Sequence, residues 1–266
     1  MSDSTRPIGV FDSGLGGLTV LKEMASLLPD EQFVYFGDTA RLPYGSKSPE
    51  TIIRYSLENA SFLLQHHVKA IVIACNTASA FALKTLSETL PIPVIGVIAP
   101  GAKQAVETSQ SGRIAVIATK GTVASGAYIK SIYSLRPKAE VVQVACPLLV
   151  PFVEEGMVRH PAMKLVVEEY LMSIKAGDFD TVLLGCTHYP LIKDVLSEYF
   201  GENVSIVDSG RACAEELKAV LHFLGQLNEG AREISHKYFV SDAPQDFIQM
   251  SAPFMGEVIR QVACVS

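Results

Sequence analysis

The stretch Thr181 to Pro190, TVLLGCTHYP, holds a cysteine two residues from a histidine. A thiol does chemistry as a thiolate, which a cationic or hydrogen-bonding neighbour and helix amides favour. His188 and a following helix start would give Cys186 both. A second cysteine has a comparable setting in Ala74 to Ser79, ACNTAS, where Asn76 and Thr77 are small polar residues of the kind that cap a helix and hold a ligand. A lone buried cysteine is more often packing than catalysis. Here Cys75 and Cys186 each follow an apolar run and precede a helix start.

Those apolar runs read as strands. Ala70 to Ala74 (AIVIA) delivers Cys75, and Val182 to Leu184 followed by the turn at Gly185 delivers Cys186. In open α/β sheets the carboxyl ends of strands are where ligands bind. Earlier in the chain, Ile8 to Phe11 runs into Asp12, Ser13 and the turn Gly14, Gly16, Gly17, ahead of an amphipathic helix over Leu18 to Leu28. A G-x-G-x-x-G pattern would need glycine where Thr19 stands, and no G-K-[ST] occurs, so both nucleotide motifs are rejected. What is left is a cluster of amides suited to a small anion such as a carboxylate. Asp12 alone reads first as a turn or cap residue, a reading weakened by its place beside that turn.

Strand Phe33 to Phe36 leads to the loop Thr39 to Lys47, with Tyr44 and Gly45, and Ser48-Pro49 opens a helix running to about His66. Strand Pro93 to Ile98 ends at Ala99-Pro100-Gly101, read as a boundary, after which the pattern repeats. Ile114 to Ala118 leads to Thr119 and Gly121 as Ile8 to Phe11 led to Asp12 and Gly14, and GCT at 185–187 echoes ACNT at 74–77 at a similar offset. Val141 to Val144 is strand-like. Glu154 and Glu155 close the apolar segment LLVPFVEEG, where spacing alone favours a solvated helix end. A helix over Pro161 to Lys175, another near Leu191 to Phe200 and a strand Val204 to Val207 lead to Asp208-Ser209-Gly210, an echo of Asp12-Ser13-Gly14. The helix Ala212 to Leu224 and the tail then return to the first half. The expectation is an α/β fold of two pseudo-symmetric α/β domains with mostly parallel sheets, residues 1–98 plus 212–266 and residues 99–211, with the active site in the cleft between them.

Composition limits the partners. With 48% hydrophobic and 19% charged residues, the 266-residue chain has ample core for a globular protein. A net charge of -6 without a basic cluster argues against nucleic acid. The amino end lacks an apolar core segment and no run approaches the ~18 residues of a membrane span, so no membrane partner and a cytoplasmic location are expected. Five dispersed cysteines without a C-x-x-C pair point to free thiols, with no disulfide framework and no metal site. Cys146, Cys213 and Cys264 are taken as structural and buried.

Two thiols facing each other across a cleft suit removal of a proton from one face of a carbon and its return to the other. Each base must be the acid of the reverse reaction. Asp12 would tune Cys75 and His188 would tune Cys186. No nucleotide loop or pyridoxal lysine site is recognisable, so no cofactor is expected. FDSGLGG (Phe11 to Gly17), PYG (Pro43 to Gly45), ACNTAS, PFVEEG (Pro151 to Gly156) and GCTHYP, in this order and spacing, resemble the signature segments of the glutamate racemases over about residues 7–211. The resemblance implies cofactor-independent interconversion of L- and D-glutamate for peptidoglycan precursors. It implies Cys75 and Cys186 as the acid/base pair, assisted by Asp12 and His188, with Glu154 supporting His188. Substrate contacts would fall to Asp12, Ser13, Tyr44, Gly45, Asn76, Thr77, Thr119, Thr187 and His188. A homodimer is expected, as is closure of one half over the other on binding. Aspartate racemase is the alternative within the class. A cysteine hydrolase or amidase using Cys186 is the alternative outside it, and it leaves Cys75 without a role.

Overall fold

The computed structural model describes residues 3–228, 230 and 234–265. In chain order the elements are β1 (Ile8–Asp12), α1 (Leu18–Leu27), β2 (Phe33–Gly37), α2 (Pro49–Leu64), β3 (Ala70–Ile73), α3 (Asn76–Thr89), β4 (Val94–Gly96), α4 (Ile98–Thr108) and β5 (Arg113–Ala118). There follow α5 (Lys120–Ser125), α6 (Ala127–Leu135), β6 (Glu140–Ala145), α7 (Leu149–Glu154), α8 (Pro161–Ala176), β7 (Thr181–Gly185) and α9 (Lys193–Phe200). The chain ends with β8 (Ser205–Asp208), α10 (Gly210–Phe223), β9 (Lys237–Val240), α11 (Pro244–Met255) and β10 (Ala263–Cys264).

The strands build two sheets, ordered β10-β9-β2-β1-β3-β4 and β6-β5-β7-β8, and every pair is parallel. The order β2-β1-β3-β4 recurs as β6-β5-β7-β8, so the internal repeat read from the sequence is a repeat of topology. In each, the chain reverses direction of winding between the first and third strands, which is where a doubly wound sheet opens a crevice. Cys75 follows β3 and Cys186 follows β7, at equivalent places beside that crevice.

Alternation along the strands explains the layering. Ile8, Val10, Ala70 and Val72 share one core with Ala115, Ile117, Val182 and Leu184. The opposite faces are covered separately: Phe11, Ile71 and Ile73 pack with α2 and α3, and Ile114, Val116 and Leu183 pack with α4 and α6. The predicted cap of α2 forms, with Ser48 Oγ accepting from Thr51 N at 3.3 Å.

Three readings need correction. Ala99-Pro100-Gly101, read as a boundary, is helix rather than loop: it lies in the first turns of α4, where proline costs no internal helix bond. The expected strand to Ile98 therefore stops at Gly96. Cys264 is exposed rather than buried, because the two-residue β10 lies at the rim of its sheet with only β9 as neighbour. The tail does complete the first sheet, through β9 pairing with β2, a strand the sequence reading left unnamed. No helix among the described residues is long and apolar enough to cross a membrane.

Candidate active site

The carboxyl ends of β1, β3, β5 and β7 converge on a cavity of ≈ 420 Å³ between the two sheets. Of the chain's five cysteines, only Cys75 and Cys186 line it. Ser13, Tyr44, Gly45, Asn76, Thr77, Thr119, Glu154, Thr187 and His188 line it as well, so eleven residues singled out in the sequence meet in one place.

Cys186 Sγ stands 3.9 Å from His188 Nδ1, and Nε2 of the same ring is 3.0 Å from Glu154 Oε1. The local Cys-x-His spacing is thus a real contact. The spacing-based reading of Glu154 as a solvated helix end is overturned, since α7 folds its last residue back onto the histidine. Burial disfavours a charged imidazole, but hydrogen bonds to Cys186 and Glu154 and their negative charge outweigh it and push His188 up to about 10. The direction of the shift favours the imidazolium. Phe254 of α11 meets it edge-on with ring centroids 5.4 Å apart, a contribution of the carboxyl-terminal tail that no local motif could announce.

Cys75 is the N-cap of α3, accepting from Ala78 N at 3.5 Å, and its Sγ lies 3.8 Å from Ser13 Oγ. Burial, followed by the charge of Asp12, pushes this thiol up to about 12 despite those bonds. It rests protonated. Asp12 does not line the cavity. Fully buried beneath it, Asp12 accepts from Gly14 N at 2.9 Å and from Thr187 Oγ1 at 3.4 Å, and burial holds its carboxyl above the ordinary range although His188 and these bonds act in the other direction.

The glycine turn therefore has a different use from the anion cradle expected of it. Its Gly14 amide is spent on Asp12, and Gly16 is where the first half meets the second. A Cβ on Gly16 would come within 2.3 Å of Thr187 Oγ1 and 2.5 Å of His188 Cε1. Only a bare backbone fits there. Thr19 Oγ1 completes the joint by donating to Thr187 O at 2.9 Å.

Among the expected substrate residues, Thr77 and Thr119 lie 2.8 Å apart, oxygen to oxygen, and both reach Thr122, a hydroxyl cluster spanning the halves. The Tyr44 hydroxyl is already committed: it donates to Asp38 and accepts from Asn59 Nδ2 at 3.1 Å. The sequence reading did not assign Leu42, Pro43, Ser46, Lys120, Pro147, Val150 and Pro151 to the site, and these also line the cavity. Pro147 and Pro151 flank the same segment as Glu154, and an apolar wall beside a single carboxylate was the available signal. Among the described residues, no group of three or more His, Cys, Asp or Glu could hold a metal ion.

A model of the Asp/Glu/Hydantoin racemase family matches residues 8–217. The chain is 50% identical over 261 residues to the glutamate racemase of Geobacter metallireducens, covering 98% of this chain and 97% of that one. Its structure is similar to that of a glutamate racemase isoform from Bacillus anthracis, with a TM-score of 0.95 at 39% identity over 99% of this chain and 98% of that one. A glutamate racemase from Francisella tularensis, solved with D-glutamate, gives 0.92 at 38% identity over 99% and 98%. Sequence, backbone and a cavity shared by two thiols agree, and the chain belongs to the Asp/Glu/hydantoin racemases and, within them, to the glutamate racemase family.

Proposed function

We propose that this chain interconverts L- and D-glutamate without a cofactor, by a two-base mechanism in which Cys75 and Cys186 act on opposite faces of the α-carbon. The observation that carries the reading is that these two thiols, from equivalent strand ends, line one cavity. In one direction the thiolate of one cysteine takes the α-proton. The thiol of the other then delivers its proton to the opposite face of the carbanion, and the roles exchange for the return.

The two thiols are supported unequally. Cys186 has an imidazolium and, behind it, a carboxylate, while Cys75 has a helix amide, the Ser13 hydroxyl and the buried Asp12 nearby. We assign His188 and Asp12 to proton management at their respective thiols and Glu154 to holding His188. Ser13, Gly45, Asn76, Thr77, Thr119 and Thr187 are proposed to bind the carboxylates and the ammonium of the substrate, with Tyr44 acting other than through its committed hydroxyl. Asp12, buried off the cavity, is proposed to act through Thr187 and the glycine turn rather than by direct contact. The hydrolase alternative needs one thiol only and gives Cys75 no task.

The division into residues 1–98 with 212–266 and residues 99–211 is also proposed, supported by the return of β9 and β10 to the first sheet. A homodimer, a cytoplasmic location and a supply of D-glutamate to peptidoglycan precursors complete the reading.

The decisive experiment is α-proton exchange in deuterated water, followed by proton NMR and circular dichroism, on the wild type, Cys75→Ser and Cys186→Ser. Wild type should lose optical activity as deuterium enters the α-carbon, with either substitution slowing racemisation about 10²–10⁴-fold. Racemisation persisting in either variant at near wild-type rate would refute the two-base assignment, and a preference for aspartate would move the substrate.

A further inference from the structure

Asn76, the residue after Cys75, lines the cavity with only 2% of its surface exposed. Its amide is half satisfied. Nδ2 donates to Tyr128 Oη at 2.7 Å, while Oδ1 is buried and has no hydrogen-bond partner. A buried acceptor left open in a native structure points to a donor that arrives later, and the substrate's ammonium is such a donor.

Tyr128 comes from the other half of the molecule. It stands on α6, fully buried and outside the cavity lining. Its ring lies against Gly185, where an added Cβ would fall 3.0 Å from Cε2. Gly185 directly precedes Cys186. One side chain therefore touches the residue before one thiol and the residue after the other.

We infer that Tyr128 is a positioning residue for the racemisation: its ring seats the strand end that carries Cys186, and its hydroxyl fixes the Asn76 amide with Oδ1 left as the acceptor for substrate. With Nδ2 donating to the hydroxyl, Oδ1 is the end left open, so the two observations belong to one orientation of the amide. Holding both thiol loops by one rigid aromatic residue keeps the two proton paths in register on either side of the α-carbon. The inference rests on the racemase reading above.

The test is Tyr128→Phe, which keeps the ring against Gly185 and removes the hydroxyl, combined with Asn76→Ala in a double-mutant cycle. Tyr128→Phe alone should lower kcat/KM about tenfold, the scale of one hydrogen bond. The loss should be equal in both directions, because the equilibrium constant of a racemisation is one. In the Asn76→Ala background the same substitution should cost nothing further. Wild-type kinetics in Tyr128→Phe, or a loss that simply multiplies with that of Asn76→Ala, would overturn the inference. A second readout does not need turnover: the Asn76 side-chain amide resonance, identified by its disappearance in Asn76→Ala, should shift and exchange faster in Tyr128→Phe. An unchanged resonance would overturn the hydroxyl's role even if wild type proved inactive on glutamate, an outcome that would instead remove the racemase reading.

Discussion

Glu154 and His188 show how far a single ion pair can set the state of this site. The pair lies 3.0 Å apart beside a thiol, and hydrogen bonds to Cys186 and to Glu154 together push His188 up to about 10. Raised above its ordinary value of 6.5, His188 contributes stability that is fully present below that pH and is lost as pH climbs through about 10. Glu154→Gln keeps an acceptor and removes the charge. Near pH 7 this variant should be less stable by on the order of 2 kcal/mol, with the gap in melting temperature closing as pH approaches 10. Calorimetry at four or five pH values checks it, and a gap that stays constant across that window would mean the pair does not set the histidine's charge. Activity should follow, with the alkaline limb of kcat/KM moved to lower pH in the variant than in wild type. Cys186 and His188 were readable because they lie two residues apart along the chain. Glu154 reaches His188 across 34 residues, and no local pattern encodes a contact of that span, so only family resemblance pointed to it.

At the scale of elements, the strands up to β8 were the most legible feature, because apolar runs ended by glycine or small polar residues mark parallel strands plainly. The loops between them were legible in kind but not in use. Gly14, Gly16 and Gly17 look from the sequence like a seat for an anion, and in the fold the same turn is closely packed, Gly14 against Leu42, Gly16 against Thr187 and His188, and Gly17 against Asp12 and Tyr35. A bare turn fits a ligand and a neighbouring side chain equally well, so composition cannot choose between them. Gly16→Ala separates the two uses. A methyl group on an open anion seat would be tolerated, whereas here it must displace the His188 ring and the Thr187 hydroxyl. Stability should fall by about 1–3 kcal/mol, as for overpacking, and racemisation by at least about tenfold through the shifted histidine. Urea unfolding and the exchange assay measure the two losses. Full activity in Gly16→Ala would show that the turn does not position His188.

The molecule as a whole is two parallel sheets around a cavity walled mostly by apolar groups, with polar ones at the strand ends. Buried Lys69 donates to both Glu31 carboxylate oxygens at 2.7 and 2.6 Å, to Ser4 O at 2.7 Å and to Gln226 O at 2.8 Å, tying the start of the chain to the segment that returns after α10. Movement on binding is expected between the halves, in line with the closure proposed for the cleft. A cavity of ≈ 420 Å³ is roomy for a five-carbon amino acid, and a carbanion formed without an electron sink needs water excluded and preorganised dipoles close by. The lips that could meet over the substrate are the loop at 42–46 of the first half and the segment at 147–154 of the second, both lining the cavity. Hydrogen exchange followed by mass spectrometry, on Cys75→Ser so that bound D-glutamate is not turned over, should show both lips protected together at saturating ligand. Backbone near Lys69 should exchange at the same rate with and without ligand. Protection of one lip alone would mean that the substrate is held by a loop on one half, and the symmetric cleft would then serve to place the two thiols rather than to close.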